Sequence, residues 1–136
     1  MRREQAAVPP GMKERISALT EYLREFERPD FWFARWERHN GQFESCVLHP
    51  VAEKFLEELY RSEWVIPRRW PEWRDEARMI HEDPELLQTA SIDTIKRILS
   101  AHILTDRIKE GHLLKLFEEG HLQAILKRLE RIGSDL

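Results

Sequence analysis

Residues 91–132 read SIDTIKRILSAHILTDRIKEGHLLKLFEEGHLQAILKRLERI, and the spacing of their apolar positions decides the fold class. Ile92, Ile95, Leu99 and Ile103 recur at intervals of three and four, the period that stacks side chains on one face of an α-helix. Ser91 stands where a hydroxyl can accept a hydrogen bond from the free N–H groups of a first turn, so a helix is predicted to start there and run towards Ile108. Gly111 and Gly120 then interrupt the pattern. They separate a short helix at 113–117 from a last one carrying Leu122, Ile125, Leu126 and Leu129.

The same rules work outward towards the N-terminus. Asp83-Pro84 predicts a short helix with Asp as cap and Pro in its first turn. Pro71 opens a helix with Trp73, Ala77 and Ile80, and Pro50 another with Val51, Phe55, Leu56 and Leu59. Met12, Ile16, Leu19, Leu23 and Phe26 form one stripe, read as a single helix that Pro29 stops. Between these, the aromatic run at 31–36 and the residues at 43–48 flank Asn40-Gly41 and predict a hairpin, which must pack on helices to persist. Residues 1–11 are read as a flexible segment, 12–132 as a single globular domain and 133–136 as a tail. The expected fold is mainly α (α+β): a compact helical domain of five to seven helices with one small β-hairpin.

A chain of 136 residues, 41% hydrophobic, can fill one ordinary core. With 25 acidic against 22 basic residues the net charge is −3, which supplies no global attraction to nucleic acid or an acidic membrane. The sequence has no apolar run of membrane-spanning length and no signal-peptide pattern, so a cytoplasmic protein without membrane attachment is expected. Cys46 is the single cysteine, which excludes an internal disulfide and multi-cysteine zinc patterns. Arg in preference to Lys, abundant Glu and scarce Asn resemble a thermophile's composition.

No phosphate loop, paired-histidine metalloprotease motif or dinucleotide fingerprint is present, and no cofactor is implied. His102, Asp106, His112 and His121 could ligate a divalent ion or act in acid–base chemistry, His102 and Asp106 sharing a helix face at i and i+4. Each Gly-His pair, however, is also what the end of one helix and the start of the next look like. The bland reading is preferred, and neither a catalytic nor a metal set is assigned. His81-Glu82-Asp83 reads as a solvated turn and Cys46 as buried filler. Large amphipathic side chains cluster with Arg at Arg68, Arg69, Trp70 and Trp73, and again at Arg35 and Trp36. Trp and Arg are the residues that anchor protein interfaces. About three of the five tryptophans are expected to be mainly structural.

Residues 26–36 (FERPDFWFARW), 55–65 and 83–129 with the two Gly-His-Leu units resemble a family of uncharacterised bacterial and phage proteins. The resemblance is densest from Ile92 onward and implies a shared fold without a mechanism. In that family a Cys precedes the Glu-Gly-His element, where this chain has Lys109, so thiol chemistry is not implied here. In size and composition the chain also resembles the small acidic proteins with which phages of thermophilic bacteria inhibit host RNA polymerase. The leading expectation is therefore a non-enzymatic regulatory protein that binds a larger protein assembly, with bacterial RNA polymerase as the named candidate and transcription inhibited or modulated. The alternatives are a metal-dependent or acid–base enzyme at the C-terminal histidines, and nucleic-acid binding through residues 68–73. The second is disfavoured by Glu72, Asp75 and Glu76.

Overall fold

The computed structural model describes residues 11–39, 41, 43–68 and 70–136. Among them are α1 (Met12–Thr20), α2 (Leu23–Phe26), β1 (Ala34–His39), β2 (Phe43–Leu48), α3 (Pro50–Arg61) and α4 (Pro71–Glu82). A 3-10 helix (Pro84–Thr89) follows, then α5 (Ile92–Ile108), α6 (His112–Glu118) and α7 (His121–Ser134). The mainly helical class and the hairpin are as expected, and among the described residues no helix is long and apolar enough to cross a membrane.

Local chemistry sets most boundaries. Ser91 Oγ accepts from the Thr94 N–H at 3.1 Å at the start of α5, and Ser91→Ala should cost about 1 kcal/mol in chemical denaturation. His49 does the same for α3, its Nδ1 accepting from the Val51 N–H at 3.0 Å while Pro50 fills the first position. Asp83 occupies the predicted cap position, but its side chain makes no capping bond; its carbonyl receives the Leu86 N–H instead.

Two expectations are corrected. The single helix at 12–26 divides at Glu21-Tyr22, where the Tyr22 N–H bonds to the Leu19 carbonyl three residues back, tightening the chain. The apolar stripe survives the break, since Met12, Ile16, Leu19, Leu23 and Phe26 are all buried. The first strand begins at Ala34, because the residues before it serve an aromatic core: Phe26 meets Phe55 at 5.0 Å, Phe31 at 5.4 Å and Phe33 at 5.6 Å between ring centroids. Phe117 of α6 completes this cluster at 5.1 Å from Phe33. Of the tryptophans, Trp64 is fully enclosed, Trp32 and Trp73 are half-buried, the latter against the core, and Trp36 and Trp70 are exposed.

The strands pair antiparallel, Ala34 opposite Leu48 and Trp36 opposite Cys46. Helix α7 lies in the core, burying Leu122, Ile125, Leu126 and Leu129 against α1 and α6. It continues to Ser134, beyond the start of the expected tail. A Cβ at Gly133 would come within 2.9 Å of Ile16 Cγ2, so α7 closes directly on α1.

Candidate functional site

The segment entering α4 is held from behind by α5. Ser100, fully buried, accepts from the Ile66 N–H at 2.8 Å and donates to the Trp64 carbonyl at 3.4 Å. Arg97 of α5 grips Glu76 of α4 through two bonds of 2.8 and 3.0 Å, a fork that fixes how the two helices cross. Pro71 forces the residue before it into extended backbone. Trp70 accordingly stands at φ −117°, ψ 110°, off the helix, with its indole 41% exposed.

The result is an apolar groove of about 190 Å³ between the start of α4 and the second half of α5. Arg68, Trp70, Pro71, Trp73 and Arg74 form one wall; Ala101, Leu104, Thr105 and Ile108 form the other. Ile108 is 67% exposed. The Trp70 and Trp73 rings lie 5.8 Å apart, and the Arg68 guanidinium carbon is 5.9 Å from the Trp70 ring centre. Among the described residues neither Arg68 nor Arg74 has a carboxylate partner.

Three of the six residues selected from sequence therefore line one surface: Arg68, Trp70 and Trp73. Arg69 lies outside the described residues. Arg35 and Trp36 do not line the groove. Arg35 is occupied by Glu37 at 3.0 Å and by the face of Trp32 at 4.3 Å. Trp36 rests on the turn between α5 and α6: a Cβ on Gly111 would lie 2.5 Å from its Cζ2. Gly111 also has φ +92°, so Gly111→Ala combines left-handed strain with a clash and should cost about 2 kcal/mol, read as a lower denaturation midpoint. Arg74, Leu104 and Ile108 were missed. The signal was a second face of α5, Ala101, Leu104 and Ile108 at helical spacing off the main stripe.

A second cluster lies where four helices meet. His81 of α4, His102 of α5, His112 of α6 and His121 of α7 converge, with centroid distances of 4.7 Å for His81–His121, 5.2 Å for His102–His112 and 5.8 Å for His102–His121. Three of these were grouped from sequence; His81 joins them only through the packing of α4. Asp106 Oδ1 accepts from the Leu113 N–H at 2.9 Å in the first turn of α6, and its charge acts on His112. His102 Nδ1 and His112 Nε2 share a hydrogen at 3.0 Å, and on the rim His81 Nε2–H donates to Glu119 Oε1 at 2.7 Å. Burial, reinforced by the neighbouring imidazoles, pushes His102 down to about 3. Burial and His81 likewise push His121 down to about 4, and burial lowers His112.

Imidazoles are good ligands for transition metals, but no three His, Cys, Asp or Glu side chains among the described residues are arranged to hold one ion. None of the three principal concavities is lined by a histidine. Cys46 is half-buried, and burial together with Asp106 and Glu110 pushes its thiol up, away from the reactive thiolate.

Residues 11–135 match a family of unknown function, DUF6508. No curated protein and no solved structure matches the chain.

Proposed function

We propose, for a chain that belongs to the family of unknown function DUF6508, a non-enzymatic regulatory role: docking of a larger protein assembly through the groove between α4 and α5. The observation that carries this reading is one apolar groove with two exposed anchors, Trp70 and Ile108, beside the guanidinium groups of Arg68 and Arg74, which have no carboxylate partner among the described residues. Exposed aromatic and Arg side chains around an apolar floor are what the centre of a protein interface is made of.

The charge pattern fits a partner segment that inserts a large apolar side chain and places carboxylates against Arg68 and Arg74. Docking there would regulate by occupying the partner's surface. The size and acidic composition shared with phage inhibitors of transcription make bacterial RNA polymerase, in a phage-infected thermophile's cytoplasm, the first assembly to test. Glu72 and the Asp75–Arg78 pair on the exposed side of α4 oppose nucleic acid at the same place.

Purified bacterial RNA polymerase is the direct probe, with binding to immobilised wild-type protein compared against Trp70→Ala and Ile108→Ala. Tagged wild-type and variant chains in a cell extract extend the test to other assemblies. Binding that is lost in folded variants supports the groove. A partner retained by both variants removes the groove from the interface and overturns the reading.

A further inference from the structure

Two of the four clustered histidines are nearly sealed from solvent, His102 and His121 each being 5% exposed, and the Nε2 atoms of both are buried without a hydrogen-bond partner. An unpaired buried polar atom costs free energy that an apolar side chain of similar size would not. The arrangement therefore carries a penalty that packing alone does not explain.

The surroundings admit the neutral imidazoles and oppose a positive charge. His112 and His121 are the first residues of α6 and α7, where the unpaired N–H groups of a helix present partial positive charge. Lys109 and Lys115 add positive charge beside His112, and neighbouring imidazoles oppose protonation of His102, His112 and His121. Two facing carboxylates act the other way, Asp106 on His112 and Glu119 on His121, but burial outweighs both. Once outside this cluster, the same imidazoles would take up protons near pH 6.5.

The segment that closes the cluster is delimited by two glycines. Helix α6 has seven residues, and it is bounded by Gly111 at φ +92° and Gly120 at φ +82°, each followed directly by a histidine of the cluster. We infer that the four histidines form a proton-operated latch, in which neutral imidazoles hold residues 109–121 against α4 and α5 and mild acid releases that segment while the rest of the fold stays closed. The hydrogen bond between His102 and His112 breaks when the accepting ring takes up a proton, because two N–H groups then stand face to face. The inference stands on the histidine cluster and is independent of the groove.

Amide hydrogen exchange of the whole chain at pH 7 and pH 5, with chelator present and rates corrected for intrinsic pH dependence, tests it. Amides of residues 109–121 should open at least about 100-fold more often at pH 5, while those of α1 and α3 keep the greater protection. Equal protection of residues 109–121 and of α1 and α3 at pH 5 would mean global unfolding and overturn the latch, as would unchanged protection of residues 109–121. Replacing both sealed rings (His102→Leu with His121→Leu) should abolish the selective opening. If that variant does not fold, ring titration of wild-type His102 and His121 by NMR decides: normal titration in the closed state overturns the inference, and rings that stay neutral until the segment opens support it. Restored protection at pH 5 on adding zinc without chelator would reassign the cluster to metal binding.

Discussion

Between pH 7 and pH 5 the protein is expected to lose about 4 kcal/mol of unfolding free energy, read from the urea midpoint at each pH. His102 is pushed down to about 3 and His121 to about 4, whereas the unfolded chain binds protons at each near pH 6.5. Over that interval the unfolded state holds more protons than the folded one. Stability therefore rises with pH through the window and levels off above pH 6.5. Each buried ring contributes a slope approaching about 1.4 kcal/mol per pH unit, which gives about 2 kcal/mol apiece between pH 7 and pH 5. His112 acts in the same direction, while Glu119, held below the usual carboxylate range by its bond to His81, matters only at more acid pH. A profile flat from pH 7 to pH 5 would show that the rings are not neutral and sealed in the folded state. An early flattening with helical content retained is the signature of the latch opening before the fold is lost.

Trp70→Ala is expected to weaken docking by about 30-fold or more, the effect of about 2 kcal/mol that a central aromatic anchor contributes. Ile108→Ala acts on the opposite wall, and the two together should weaken docking by several hundred-fold if their losses add. Both side chains are exposed in the free protein, so the thermal midpoint should move little. Arg35→Ala is the control. Its guanidinium is committed to Glu37 and Trp32 away from the groove, and binding should change less than about threefold. A Trp70→Ala variant that binds normally sinks the groove as the docking surface, and one that unfolds shows that Trp70 was structural. Binding that falls steeply with salt, competed by single-stranded nucleic acid, would move the assignment to that class of partner.

Both predictions depend on residues that sequence reading ranked unevenly. Trp70 was legible because an aromatic residue before a proline and beside Arg is locally conspicuous, and Pro71 dictates its extended backbone from one residue away. Ile108 was not, because it could be read as the end of the α5 stripe until α4 was placed beside it. Among the histidines, His112 and His121 stood out through the repeated Gly-His-Leu, while His81 sat in a stretch that reads as a solvated turn. Asp106 was grouped with His102 by helical spacing, correctly as to face and wrongly as to partner, since the α6 backbone approaches it first.

The sequence by itself determined the helical class, the placement of the hairpin, the cap at Ser91, the start of α3 at Pro50, and the Gly111 and Gly120 breaks. Each of these is settled by interactions within about a turn of helix, between residues at most four apart. Only the tertiary structure decided that the aromatic run at 31–33 would pack on Phe26 and Phe117 before a strand begins, that Trp36 would rest on Gly111, and that four histidines from four helices would share one buried place. Those outcomes depend on crossing angles fixed by long-range contacts such as Arg97 on Glu76 and Gly133 on Ile16, and no local periodicity carries that information.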